Sequence, residues 1–231
     1  MADQFNDGIP AATNSILSDI GKIAETLGWI KDCFQHTCNG FSNNSMTSLG
    51  FLQTVFIPAS YMMSNETNGA NPIENEYATN DMMRAYFNFD GATEQYVSFD
   101  WVFPEGWDRS TIKAKFYWSS ASGSTAGDTV EWEIKAVAVG NDDALDVAYG
   151  TAQVISDTLL ADNGGDLQIT AATPALTVGG TPALGDMVNF KISRNVGGTD
   201  DMTENARLFG VLIQYLVSFP DASGTNAVSA W

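Results

Sequence analysis

The chain has 231 residues, 44% of them hydrophobic and 11% aromatic, which is enough apolar material to bury a substantial core and excludes global disorder. Ten Lys and Arg residues stand against twenty-eight Asp and Glu residues, for a formal net charge of −18. The basic residues are scattered from Lys22 to Arg207, whereas binding to phosphate backbones depends on clustered cations, so no nucleic-acid partner is expected.

The first predicted element is a helix over residues 15–34. Its apolar positions are spaced 4, 3, 4, 3 and 4 residues apart, which is the heptad spacing of a coiled-coil seam. The seam residues are Ile16, Ile20, Ile23, Leu27, Ile30 and Phe34. Isoleucine at both seam positions favours three or four helices, so the seam predicts a homotrimer joined or anchored through this segment. An ordinary amphipathic helix packed on its own domain remains the alternative.

A polar stretch over residues 39–48 suits a linker, and the chain then becomes a series of short β segments separated by turn residues. The predicted strands are residues 51–57, 82–89, 95–103, 111–119, 129–139, 147–155, 167–170, 188–192 and 208–217. Residues 64–79 read as a long loop or an extended arm. The predicted fold is therefore mainly β, an antiparallel jelly-roll-like sandwich with a short N-terminal helix or anchor. The expected division is an anchor over 1–48, a β domain over 49–219 and a tail over 220–231.

The residue types that carry common chemistries are sparse. The sole histidine, His36, lies between Cys33 and Cys38, and one chain does not supply the four ligands that a structural zinc site needs. Three chains meeting on an axis could pool these ligands, and that alternative stays open. The chain has no nucleophile elbow and no phosphate-binding loop, so we expect no catalytic residue, no metal and no cofactor.

Carboxylates are abundant enough to form pairs by chance. One acidic cluster surrounds two tryptophans, Trp101 and Trp107, whose rings are candidates for stacking on a glycan. Its members are Asp90, Glu94, Asp100, Glu105 and Asp108. A glycosidase needs two carboxylates beside a cleft, so a small depolymerase is one alternative function. The acidic segments 141–143 and 162–166 do not match a calcium-binding loop and are interpreted as solvated turns. Trp118 and Trp132 are expected in the core.

Several segments together resemble a known family. They are residues 89–96, the Trp107-Asp108 pair, residues 127–132 and residues 205–211. In order and spacing they resemble small structural proteins encoded by tailed bacteriophages and prophages, over about residues 55–217. The resemblance implies a non-enzymatic, fibre-like or spike-like virion protein attached through its N-terminus. The implied partners are copies of itself, other virion proteins and a host-surface glycan. A capsid decoration or cement protein is the alternative within this class, and head and tail positions stay open.

The sequence also suggests where the chain is made. Residues 1–7 are acidic and polar, with no basic stretch leading into an apolar segment, so no secretory signal is expected. No window reaches the roughly 18 apolar residues that a bilayer crossing requires, so no membrane insertion is expected. We therefore expect synthesis in the host cytoplasm and a final location in the virion.

The seam leads to a prediction about assembly. The purified chain should be a trimer at micromolar concentration, because the isoleucine-rich seam is buried only when helices associate. Multi-angle light scattering measures this mass directly. A monomer would contradict the prediction, and a trimer that persists after deletion of residues 1–40 would assign the association to the β domain.

Overall fold

The computed structural model describes residues 50–161 and 165–218. The predicted helix, its seam and the group Cys33, His36 and Cys38 lie outside the described residues, as does the tail. The predicted domain boundaries also fall there and stay predictions.

The described ranges contain eleven strands and one short 3-10 helical turn. They are β1 (Gly50–Pro58), the turn Ala59–Tyr61, β2 (Met63–Ser64), β3 (Asn71–Tyr77), β4 (Met82–Phe89), β5 (Tyr96–Val102), β6 (Lys113–Ser120), β7 (Thr129–Val139), β8 (Gln153–Thr158), β9 (Gln168–Ile169), β10 (Met187–Arg194) and β11 (Ala206–Ser218).

These strands form two antiparallel sheets. The six-stranded sheet has the order β3-β4-β11-β6-β9, and β1 also pairs with β11. The five-stranded sheet has the order β2-β5-β10-β7-β8. Strands β4 to β7 alternate between the sheets, as do β9 to β11, so the chain crosses the core at almost every connection. The predicted antiparallel sandwich is confirmed.

The predicted strands 82–89 and 129–139 agree with β4 and β7 at both ends. The prediction of a loop or arm over residues 64–79 is wrong for β3, which pairs with β4 from Asn71–Asn88 to Tyr77–Met82. This is an edge strand, and its Pro72 and two Asn residues conceal the alternation because backbone pairing, more than burial, holds it in place. Most of the predicted strand 147–155 is irregular, and β8 begins only at Gln153.

The core lies between the inner faces of the two sheets. Trp118 on β6 and Trp132 on β7 are fully buried, as predicted. The Trp132 ring lies nearly perpendicular to that of Phe89 at a centroid distance of 5.1 Å and stacks on Phe116 at 5.6 Å. Trp118 Nε1 donates to Asp157 Oδ2 at 2.7 Å, so this indole is buried without an unpaired donor.

A buried arginine organises the connection from β10 to β11. Arg194, the last residue of β10, is fully buried and binds Asp200 through two contacts of 2.7 Å, from Nε to Oδ2 and from Nη2 to Oδ1. Its Nη1 donates to the carbonyl oxygen of Glu204 at 2.7 Å, and its Nη2 also donates to that of Met202. The guanidinium therefore holds three points of the connection that leads into β11.

Glu131 on β7 extends this network. Its carboxylate accepts hydrogen bonds from the Thr199 hydroxyl (2.7 Å) and amide (3.2 Å), from Ser156 Oγ (3.2 Å) and from Asn195 Nδ2. Burial raises the pKa of Glu131, but the donors together outweigh it and leave the pKa below its ordinary value. A Cβ at Gly198 would lie 1.9 Å from Glu131 Oε1, so only glycine fits beside this carboxylate.

We predict that Arg194→Met lowers the free energy of unfolding by about 3–5 kcal/mol, because it leaves the buried Asp200 without its partner. Urea denaturation measures the change. Lys135→Met is the matched control: its ion pair with Glu133, at 3.2 Å, is partly exposed and should contribute less than about 1 kcal/mol. Equal losses in the two variants would contradict the prediction.

Candidate functional site

The candidate site is a groove on the outer face of the six-stranded sheet, where β1 and β4 share one side of β11. Strand β4 pairs with residues 206–208 of β11, and β1 takes over from residue 210 onward. The register between β11 and β6 shifts between Leu208 and Gly210 at the same point. Phe209, which lies at this irregularity, is one of the residues that line the groove.

Gly210 allows an aromatic side chain to lie across β11. A Cβ at this position would come within 2.5 Å of Phe56 Cζ and 2.6 Å of the Ile57 carbonyl oxygen. Phe56 therefore packs directly over the backbone of β11, and its ring meets Tyr117 of β6 edge to face at 5.0 Å. Phe56 remains 43% exposed, so much of its surface is available to a ligand.

The other wall of the groove comes from β4 and from the turn that joins it to β3. Tyr86 and Phe209 are in contact with a centroid distance of 5.5 Å, and the Arg207 guanidinium lies 5.6 Å from the Tyr86 ring. Met82 and Met83 at the start of β4 are exposed and adaptable in shape.

The groove has a volume of about 530 Å³, within the range of small-molecule sites. It combines aromatic and apolar surface with a few hydroxyl, amide and guanidinium groups. The lining residues are Phe56, Pro58, Ser60, Tyr77, Asn80, Met82, Met83, Arg84, Ala85, Tyr117, Gly165, Leu167 and Phe209. Among these described residues Arg84 is the one formal charge, and no carboxylate is present.

The outer face of the five-stranded sheet differs in its chemistry. Asn189 on β10 donates to Asp100 Oδ1 at 2.7 Å, and the Tyr149 hydroxyl binds Asn189 Oδ1. Lys191 lies 4.0 Å over the ring of Tyr96. Burial, followed by repulsion from a neighbouring lysine, lowers the pKa of Lys191. Polar side chains on this face therefore bind one another.

The two tryptophans singled out in the sequence lie away from the groove. Trp107 is only 3% exposed and stacks on Phe103 at a centroid distance of 3.9 Å, so it has no free face for a sugar ring. Trp101 is half-buried and contacts Phe103 at 4.3 Å and Tyr215 at 5.3 Å. Both rings belong to an aromatic cluster at one end of the sandwich, and any glycan contact by Trp101 stays a prediction.

Two acids of the cluster around these tryptophans stabilise turns. Asp90 Oδ1 accepts hydrogen bonds from the Ala92 and Thr93 amides at 2.7 and 2.8 Å, and Asp108 Oδ1 accepts one from the Ser110 amide at 2.9 Å. Within segment 141–143, Asp143 Oδ2 accepts the Gly140 amide at 2.8 Å, in agreement with its interpretation as a turn. Residues 162–164 lie outside the described residues.

Across the described ranges, no group of three or more His, Cys, Asp or Glu side chains is placed to hold a metal ion. No helix there has the length and apolar character that a membrane crossing requires.

Sequence reasoning missed the groove, although one signal pointed toward it. The alternation along β6 placed Tyr117 on the solvated side with Lys113 and Lys115, and an aromatic residue on a solvated face is a candidate for binding. Nothing in the sequence linked Tyr117 to Phe56, 61 positions earlier, because that contact depends on both strands pairing with β11.

No family model and no curated protein sequence matches the chain. Its fold is similar to that of the CBM22-2 xylan-binding domain from Paenibacillus barcinonensis Xyn10C (10% identity, 67% of this chain, 91% of that one, TM-score 0.40). It is also similar to a family 11 carbohydrate-binding module from Clostridium thermocellum in complex with a mixed-linked tetrasaccharide (13% identity, 71% and 96%, TM-score 0.34). A carbohydrate esterase of the Shiga toxin-encoding bacteriophage phi24B is a third match (6% identity, 67% and 89%, TM-score 0.29). At identities and scores this low, the similarities carry no inference about ligand or role.

Proposed function

We propose that this chain is a non-enzymatic, glycan-binding β-sandwich of a tailed-phage particle, and that the groove on the six-stranded sheet holds the glycan. The observation that carries the binding role is the contact between exposed Phe56 and half-buried Tyr117 beside hydroxyl and amide groups. A sugar ring has an apolar face of C–H groups and an edge of hydroxyls, so it needs this combination of surfaces.

The proposal of a non-enzymatic role rests on the lining of the groove. Hydrolysis of a glycosidic bond ordinarily requires a pair of carboxylates, one on each side of the bond. The described residues that line the groove include neither Asp nor Glu. Three of the five acids near Trp101 and Trp107 are engaged elsewhere: Asp90 and Asp108 with turn amides, and Asp100 with Asn189. These observations favour binding without cleavage over a depolymerase.

The proposed location in a virion rests on the resemblance of residues 55–217 to phage structural proteins and on the N-terminal seam. We propose a homotrimer that is attached to other virion proteins through residues 1–48 and exposes the groove for contact with the host surface.

Phe56→Ala and Tyr117→Ala should each weaken glycan binding by about 10- to 100-fold, because each removes one ring of the aromatic pair. Affinity electrophoresis against a panel of bacterial and plant polysaccharides identifies the ligand, and calorimetry then gives the affinities. The polysaccharide should keep its chain length after prolonged incubation with the protein.

The matched control is Tyr96→Ala, which removes an aromatic ring from the outer face of the opposite sheet. It should bind as the unmodified chain does. If Tyr96→Ala lost binding while the groove variants bound normally, the glycan site would lie on the five-stranded sheet and the proposed site would be wrong. Circular dichroism of each variant separates loss of binding from loss of folding.

The virion proposal predicts that antibodies raised against residues 50–218 label purified phage particles at defined positions in electron micrographs. Symmetric labelling of the tail would support an appendage, whereas labelling over the whole capsid would support the decoration protein. Particles that carry no label and lack the chain by mass spectrometry would refute the virion role.

A further inference from the structure

The charges of this protein are distributed unequally between the two outer faces. The chain carries 28 acidic and 10 basic residues, so a surface taken at random is expected to be acidic. Four basic residues nevertheless occupy the outer face of the six-stranded sheet. They are Arg84 on β4, Lys113 and Lys115 on β6, and Arg207 on β11.

The strand alternation puts these four side chains on the groove side. Along β6, Ala114, Phe116 and Trp118 are buried in the core, so Lys113, Lys115 and Tyr117 lie on the opposite face. Along β11, Ala206 and Leu208 are buried and Arg207 lies between them, with its guanidinium near the Tyr86 ring. Arg84 lines the groove itself.

The described residues that line the groove include no Asp or Glu, and two acids beside them along the chain, Asp81 and Asp166, lie in a turn and a bend. Glu74 and Glu76 of β3 are exposed, lie opposite Ala85 and Met83 in the strand register, and are not among the residues that line the groove. Strands β4, β6 and β11 contain no Asp or Glu at any position.

Among the described residues, the four cations of this face also have no ion-pair partner. Within residues 50–161 and 165–218, the ion pairs are Arg194–Asp200 in the core and Lys135–Glu133 on the opposite sheet. No carboxylate among these residues therefore pairs with the positive charges of this face, which together attract an anion to it.

We propose that the ligand of the groove is an acidic polysaccharide, whose sugar rings stack on Phe56 and Tyr117 while Arg84 binds its anionic groups. This inference rests on the proposed glycan-binding function and specifies the class of glycan. A guanidinium binds carboxylate or phosphate oxygens through two parallel hydrogen bonds, so Arg84 is suited to a uronic acid or a sugar phosphate.

The two lysines extend the positive surface away from the groove. The pairing of the strands places Tyr117 opposite Gly210 and Lys115 opposite Leu212, which in turn pairs with Phe56. Lys115 and Lys113 therefore follow Tyr117 on one face at intervals of about 7 Å. A polymer that carries a charge at successive sugars can engage Arg84 and these lysines together, which a single monosaccharide cannot do.

The overall charge argues against a nucleic acid as the occupant. A duplex carries one negative charge per 1.7 Å or so of its axis, and a protein with a net charge of −18 repels it strongly. An acidic polysaccharide has a lower charge density and presents sugar rings to the aromatic pair. Its attraction to four cations is local, and salt screens the repulsion from the more distant acids.

The test uses the full chain and a panel of defined polysaccharides. The acidic members are polygalacturonate, alginate, hyaluronate and a phosphate-bearing wall teichoic acid; the neutral members are xylan, mannan, β-glucan and galactan. Binding of the uronate polymers would identify a carboxylate ligand, and binding of the teichoic acid would identify a phosphate ligand. For a uronate polymer, the carboxyl-reduced derivative keeps the backbone and removes the charge. The affinity of the protein for this derivative should be lower by a factor of about ten or more.

Arg84→Gln should weaken binding of the acidic polymer about tenfold and abolish its preference over the neutral derivative. Lys135→Gln, which removes the same charge from the opposite face, should behave as the unmodified chain does. Raising the salt from about 0.05 M to about 0.5 M should weaken binding of the acidic polymer and leave that of the neutral derivative unchanged.

The outcomes distinguish this inference from the proposed function. Retention of neutral polysaccharides alone, with Arg84→Gln unaffected, would overturn the acidic ligand and leave the glycan-binding function standing. Retention of no polysaccharide of either kind would overturn both. If a DNA duplex bound as tightly as the acidic polymers, the ligand class would be polyanions in general, and the inference would be overturned.

Discussion

The ion pair between Arg194 and Asp200 is the interaction on which the rest of the sandwich depends. Arg194 ends β10 in the middle of the five-stranded sheet, and its side chain binds Asp200 and the carbonyl groups of Met202 and Glu204. These residues form the connection that crosses to the other sheet and starts β11. A buried charge is costly unless it is fully paired, so the connection has one arrangement that satisfies the guanidinium. That arrangement fixes where β11 begins.

The position of β11 in turn determines the groove. This strand pairs with β6 along one side and with β4 and then β1 along the other, so three strands take their register from it. The exchange of β4 for β1 coincides with the irregularity near Gly210, where Phe56 crosses the backbone. The groove is thus a consequence of strand pairing, and its aromatic lining comes from strands that are far apart in the chain.

The two outer faces differ in whether their charged side chains are paired. On the five-stranded sheet, Glu133 pairs with Lys135, and Asp100 with Asn189, so little of the polar surface is left to attract a ligand. On the six-stranded sheet, four cations have no carboxylate partner among the described residues, and one of them, Arg84, lines the aromatic groove. A protein with a strong negative charge that keeps carboxylates out of one groove can still bind an anion there.

The sequence by itself determined the fold class, most strand positions and the burial of Trp118 and Trp132, because alternation with a period of two is a local property of the chain. It did not reveal β3, whose Pro and Asn residues obscure the alternation, or place Trp107, whose exposure depends on Phe103. The ten basic residues appeared scattered, yet pairing with β11 brought Arg84, Lys115 and Arg207 to one face. Only the tertiary structure decided the site, because registers and sheet order are set by contacts between distant segments that local patterns do not encode.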